Sequence, residues 1–337
     1  MEGYYDQIMT YLLDQVGYSK KTQNHLVSVM SKILKCKEAT VYNKIIGRSR
    51  FTVEELFLIA RELNVSLDNI IYKDAPDRNS FLFSADGLRF RPRLYKDYID
   101  NIILHFGMLK AFDSPRGIFL ANEVPLFHFL RFPNLFYLKL YIWNITNWKI
   151  PNLSEYYAPE SITNDPEIQH SARILYSLFN SFHSTEIWNP SMLETTIAQI
   201  RYLIQSNRIT NPKHISDLIA NLHALTNYLE QIANLGYKVN HQNENKSTIE
   251  IYINELLTNA EIILIEAEGK SILYNQFDLP NYIKSSEPLV CDYAKGWLNN
   301  IISKSTSITK TGDRDKKLLF RKLNKSIEQL SSEVGNK

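Results

Sequence analysis

Residues 30–71 read MSKILKCKEATVYNKIIGRSRFTVEELFLIARELNVSLDNII, a run of short helices punctuated by breaks. Leu26, Val27, Met30, Ile33 and Leu34 recur at helical spacing, and the pattern stops at Lys35-Cys36. A second helix is predicted over residues 37–46, where Val41 and Ile45 share the inward face and Gly47 follows as a left-handed terminator. Thr52-Val53-Glu54-Glu55 then has the form of a capping box and opens a helix carrying Leu56, Ile59, Ala60 and Leu63. Ser66-Leu67-Asp68 starts another short helix with Ile70 and Ile71, and upstream Ile8, Leu12, Leu13 and Val16 mark a first one. Five helices thus make a head over residues 1–75.

Charge singles out the same stretch. The whole chain of 337 residues has a formal net charge of only +2, yet residues 19–50 hold eight Lys or Arg against the single Glu38. The side chains of residues 37–46 that point away from Val41 and Ile45 are Lys37, Glu38, Ala39, Thr40, Asn43 and Lys44. A basic surplus coinciding with two helices joined by a two-residue break is the electrostatic footprint of a nucleic-acid reader, where a solvated helical face would need no such coincidence.

In its order of elements, its apolar positions, Thr40-Val41, Gly47 and the closing ELNVSLDNII, the stretch resembles the lambda-repressor-like, or XRE, helix-turn-helix family of transcriptional regulators. Tyr42, Gly47 and FTVEELFLIARELNVSLD, followed by NEVPLFHFLRFPNLFYLKLYIW at residues 122–143, are also similar to a group of Bacteroidota regulators with a large C-terminal domain. The resemblance implies that residues 37–46 form the recognition helix on double-stranded DNA. By position, Glu38, Ala39 and Asn43 would face bases, and Lys37, Thr40, Tyr42, Lys44, Arg48 and Arg50 would reach or flank phosphates. Lys35 departs from the pattern, since the family's turn often carries glycine there.

Beyond a linker and connector at residues 76–93, a larger domain is predicted over 94–337. Helices suit residues 95–112, 124–131, 134–148, 166–182, 191–205 and 212–235 by length and periodicity, and again 290–304 and 315–331. Between them Ile249, Ile251 and Ile253 alternate with polar neighbours, and a Glu268-Gly269-Lys270 turn joins two apolar runs, so a small antiparallel sheet is expected near 247–276. The expected fold class is mainly α, a five-helix head plus a larger α-rich domain with a small sheet. The second domain, rich in aromatic residues, is the part expected to hold a homodimer together and to receive a small-molecule or protein effector.

Other function classes find little support. The apolar stretch 124–148 is interrupted by His128, Arg131, Pro133, Asn134, Lys139, Asn144 and Asn147, so no membrane span is expected. Cys36 and Cys291 lie far apart in a chain without a secretory signal segment and read as reduced cytoplasmic thiols. Neither a metal-binding histidine pair with a glutamate base, a nucleophile elbow nor a Gly-rich nucleotide fingerprint is present, so no cofactor and no enzymatic activity are expected. The hydroxyl-rich, basic segment 304–325 is read as a solvated loop and helix ahead of a phosphate site. The competing reading is an antitoxin-like or defence-operon adaptor whose second domain binds a partner protein.

Overall fold

The computed structural model describes residues 5, 9, 23–63, 83–84, 86–107, 109, 112–151, 153–239, 247–256, 261–278 and 280–335. They fall into two compact units, Met1–Leu82 and Phe83–Lys337. The predicted helix near residues 66–71 and the linker through residue 82 lie outside the described residues.

In the first unit, α1 (Gln23–Leu34), α2 (Glu38–Ile45) and α3 (Val53–Glu62) pack around Met30, Val41 and Ile59, each fully buried. Both helix breaks are Schellman turns. After α1 the Cys36 amide donates to Ser31 O at 3.1 Å, with Lys35 at a φ of +50°. After α2 the Arg48 amide donates to Asn43 O at 2.9 Å, with Gly47 at +78°. The geometry therefore asks for a left-handed residue at both positions and finds glycine at only one. α3 starts on the expected capping box: Glu55 N donates to Thr52 Oγ1 at 3.2 Å and Thr52 N to Glu55 Oε2 at 2.8 Å.

A left-handed conformation costs a residue with a Cβ about 1–2 kcal/mol, while glycine adds roughly 0.5–1 kcal/mol of chain entropy. Lys35→Gly is expected to raise the stability of the first unit by up to about 1 kcal/mol, read as a higher midpoint in calorimetry of the full chain. A lower midpoint would mean that the Lys35 side chain contributes more than its backbone costs.

The second unit begins where the connector was expected to continue: Ser84 bridges to Lys284, and the short α4 (Asp86–Arg89) packs beside the strand that Lys284 belongs to. Then come α5 (Tyr95–Gly107), β1 (Arg116–Ala121), α6 (Leu126–Phe129), α7 (Pro133–Trp143) with a π-helical turn at Asn144–Trp148, α8 (Glu160–Thr163), α9 (Pro166–Phe179) and β2 (His183–Trp188). They are followed by α10 (Glu194–Gln205), α11 (Pro212–Leu235), β3 (Ile249–Ile253), β4 (Ile262–Ala267), β5 (Lys270–Asp278), β6 (Asn281–Ser285), α12 (Pro288–Ser303), β7 (Thr306–Ser307) and α13 (Asp313–Gly335).

The strands form one mixed sheet in the order β6-β5-β4-β1-β2-β3-β7, with β1, β2 and β3 parallel and the rest antiparallel. This corrects the expectation of an α-rich domain with only a small antiparallel sheet: among the described residues the sheet has seven strands and a parallel centre. The reason is burial on both faces. In RGIFLA (β1) Phe119 joins the large core under the helices while Leu120 packs against α12 on the other side. A strand covered twice has no polar-apolar alternation to detect. HSTEIW (β2) escaped for another reason, since Ser184 and Glu186 are polar and buried.

Most helices lie on one face of the sheet, where Phe119, Trp188, Ile249, Ile251 and Ile265 join the larger core. α12 covers the other through Cys291, Ala294, Leu298 and Ile301. Gly117 sits where the layers close in, because a Cβ there would stand 2.7 Å from the Phe119 ring and 3.1 Å from Phe182. Among the described residues no helix is long and apolar enough to cross a membrane.

Candidate nucleic-acid interface and a buried cavity

α2 buries one residue, Val41, and turns the rest of its first turn outward. Lys37, Glu38, Ala39 and Thr40 are exposed, Tyr42 is 44% exposed and Asn43 is half-buried. Lys37 stands at the N-cap position in an extended conformation, so the helix begins with its amides uncapped by a side chain. Arg48 and Arg50 are exposed on the segment that follows. Among the described residues the side chains of Lys37, Glu38, Thr40, Asn43 and Arg48 make no hydrogen bond, which leaves this face available to a partner.

Lys44 is placed differently from the rest of the sequence-derived set. Its side chain is only 12% exposed, and Nζ donates to Glu55 Oε2 at 2.7 Å and to Arg50 O at 2.9 Å while standing 5.4 Å from the Phe51 ring centre. Glu55 thereby caps α3 and ties it to α2. Burial raises the Glu55 carboxyl, but the Lys44 ammonium and the Thr52 amide outweigh it and hold the group below the ordinary glutamate range. Lys44 is a fastening of the unit and not a free cation. The Arg50 guanidinium lies 5.5 Å over the Tyr5 ring, whose hydroxyl donates to Lys44 O at 3.2 Å and accepts from Phe51 N at 3.1 Å.

The second basic segment is built into the fold. Ile308 is fully buried, Ile251 N donates to Thr309 Oγ1, and a Cβ on Gly312 would stand 2.2 Å from Ser307 O. Asp313 and Asp315 occupy the first turn of α13, where their charge opposes an anion.

A cavity of about 160 Å³ opens in the second unit at the carboxyl end of β1. Aromatic faces from α5, β1 and α7 line it, among them Tyr98, Phe106, Phe119 and Trp143. Three charged side chains converge there from distant parts of the chain. Lys139 Nζ, 3% exposed, donates to Glu123 Oε2 at 2.5 Å and to Gln199 Oε1 at 2.9 Å. Glu261 accepts from the Tyr282 hydroxyl at 3.3 Å. Burial and then the Glu123 charge push the Glu261 carboxyl up to about 7, against the pull of Tyr282, the Glu123 amide and Lys139. Burial also raises the Tyr98 phenol far above its ordinary range.

None of these residues stands out in the sequence. Lys139 registers there only as a charge interrupting an apolar stretch, although a lysine inside FYLKLYIW is the kind of residue that is buried only when paired. Phe127, Phe129, Phe132, Phe136, Tyr137, Tyr141, Trp143 and Trp148 are all buried in the core, and Phe127, Phe129 and Trp143 also line the cavity.

Behind the cavity wall lies a second polar group. His128 Nε2 and Trp188 Nε1 contact Glu186 Oε2 at 2.9 and 2.8 Å, with His128 and Glu186 fully buried. Lys238 donates to Phe179 O at 2.7 Å and Phe182 O at 2.8 Å and rests on both rings. Burial drives the Lys238 ammonium down to about 7, with Glu186 pulling the other way. Glu186 itself is raised by burial, but His128, Lys238 and the Trp188 N–H more than reverse this and leave it below the ordinary range. No family model matches the chain, and no curated protein or solved structure is similar to it.

Proposed function

We propose that the protein is a cytoplasmic, sequence-specific regulator of transcription that reads double-stranded DNA with α2. The observation that supports this most is the exposed first turn of α2, Lys37-Glu38-Ala39-Thr40, held by one buried residue, Val41, and flanked by exposed Arg48 and Arg50. Glu38 and Asn43 are the base readers: a glutamate accepts from the cytosine amino group, and an asparagine pairs with adenine through two bonds. Lys37, Thr40, Tyr42, Arg48 and Arg50 serve the phosphates. One helix reads only a few base pairs, so a homodimer held by the second unit brings two heads to half-sites about one helical turn apart.

Each phosphate contact adds about 0.9 to the slope of affinity against salt concentration on logarithmic axes. Combining Lys37→Ala with Arg48→Ala is expected to lower that slope by about 2 on duplex DNA of any sequence, measured by fluorescence anisotropy. Lys44→Met provides the contrast: it removes a charge already paired with Glu55 and leaves the slope where it was. A double variant with the wild-type slope would remove α2 from the DNA.

A further inference from the structure

We propose that the cavity of the second unit binds a small organic cation, an ammonium group carried on a single ring or a short apolar chain. This goes beyond the reading of the head and does not depend on it. The volume sets the size, because a cavity of about 160 Å³ is close to one of roughly 150 Å³ that accepts benzene. The aromatic walls set the body, and they also favour a cation over a neutral group through the negative faces of their rings.

Three polar observations set the charge. Lys139 is committed to Glu123 and Gln199 and has little left for an anion. Glu261 is the carboxylate without a basic partner, its hydrogen-bond donors being the Tyr282 hydroxyl and the Glu123 amide. Tyr98 lines the same cavity on a residue only 7% exposed, where its hydroxyl can accept from a bound donor. An ammonium has three donors and no acceptor, so it satisfies both Glu261 and Tyr98 and places its remaining N–H against a ring face. The other titratable wall groups are His105, Lys284 and Tyr274; His105 and Lys284 already have partners, and burial raises the Tyr274 phenol. Burial and the neighbouring Glu123 charge, which raise the affinity of Glu261 for protons, favour a bound cation at the same place.

The test is isothermal titration calorimetry of the full chain, without DNA, at neutral pH. The probe is 2-phenylethylamine, with 2-phenylethanol and phenylacetate as neutral and anionic counterparts of similar size. The amine is expected to bind at least about tenfold tighter than either, an ion pair in a buried site exceeding a neutral hydrogen bond. Glu261→Gln should weaken the amine by roughly tenfold while leaving the alcohol within about threefold. Tyr98→Phe, which deletes one hydroxyl from an aromatic wall, should weaken the amine about threefold and carries the test if Glu261→Gln does not fold. Equal affinities for the three probes, no binding of the amine, or a Tyr98→Phe protein with unaltered amine affinity would overturn the proposal.

Discussion

Glu186→Ala should lower the stability of the second unit by about 3–5 kcal/mol, the range for removing one partner from a buried ionic group. The carboxylate is the shared acceptor of His128 Nε2 and Trp188 Nε1 and the charge that raises the proton affinity of the buried Lys238 against the effect of burial. Without it His128 Nε2 and Trp188 Nε1 lose their shared acceptor, and Lys238 keeps only the Phe179 and Phe182 carbonyls and rings. The deficit should also depend on pH. Lys238 releases its proton near 7 when folded and in the ordinary lysine range when unfolded, so the unfolded chain holds more protons between those limits. Stability therefore rises with pH across that window. Removing Glu186 lowers the folded value further, which enlarges the deficit at about pH 6 and leaves it smaller at about pH 9. Thermal melts followed by near-ultraviolet circular dichroism decide the matter, and a loss below about 1 kcal/mol at both values would show that the cluster contributes little.

The second large effect has the opposite sign. Glu261→Gln should stabilise the unliganded protein at about pH 8 and do little at about pH 5. The folded carboxyl keeps its proton up to about 7, against an ordinary value of 4.5, so between those limits the folded chain binds a proton that the unfolded chain has lost. Stability falls as pH rises through that window. Holding a carboxyl at about 7 in place of 4.5 is worth roughly 3 kcal/mol. Groups facing Glu261 act on this value, Glu123 raising it and Lys139 and Tyr282 lowering it. A glutamine keeps the shape and avoids the buried charge. The expected result is a melting temperature several degrees above wild type on the alkaline side only. An equal shift at both pH values would show that the substitution alters packing and that burial of charge is not the cause. Retaining a carboxylate that destabilises its own fold is what a binding site requires, and a purely structural position does not.

How much of this is legible in the sequence depends on whether the signal lies within a few residues of itself. The bounds predicted for 212–235 coincide with α11, because Asn211 caps it, Pro212 opens it and Gly236 closes it with a φ of +69°. The Thr52-Glu55 box and the hairpin through Glu268 and Gly269, both at positive φ, are equally local. Residues 134–148 read as one helix, whereas α7 ends at Trp143 and passes into a π-helical turn. The parallel centre of the sheet is hidden, since β1 pairs with β2 across 67 positions (Arg116 with His183) and neither alternates. The same holds for the sites. The outward face of α2 follows from helical periodicity. Glu123, Lys139 and Glu261, like His128, Glu186 and Lys238, meet only after the helices and strands between them have folded. Lys44 shows the converse, for its spacing suits a phosphate contact and its actual partner, Glu55, sits on the next helix.

Selection of duplexes from a random-sequence pool by the full-length chain tests most directly whether α2 reads DNA. The expected result is enrichment of one short motif, in two inverted copies whose centres lie about one helical turn apart. The same selection with Glu38→Ala and Asn43→Ala should lose that motif while still retaining duplex DNA in bulk, since each base reader is worth about 1–3 kcal/mol of discrimination and neither supplies positive charge. A pool that emerges from the wild-type protein without any enriched sequence would contradict a DNA-reading head.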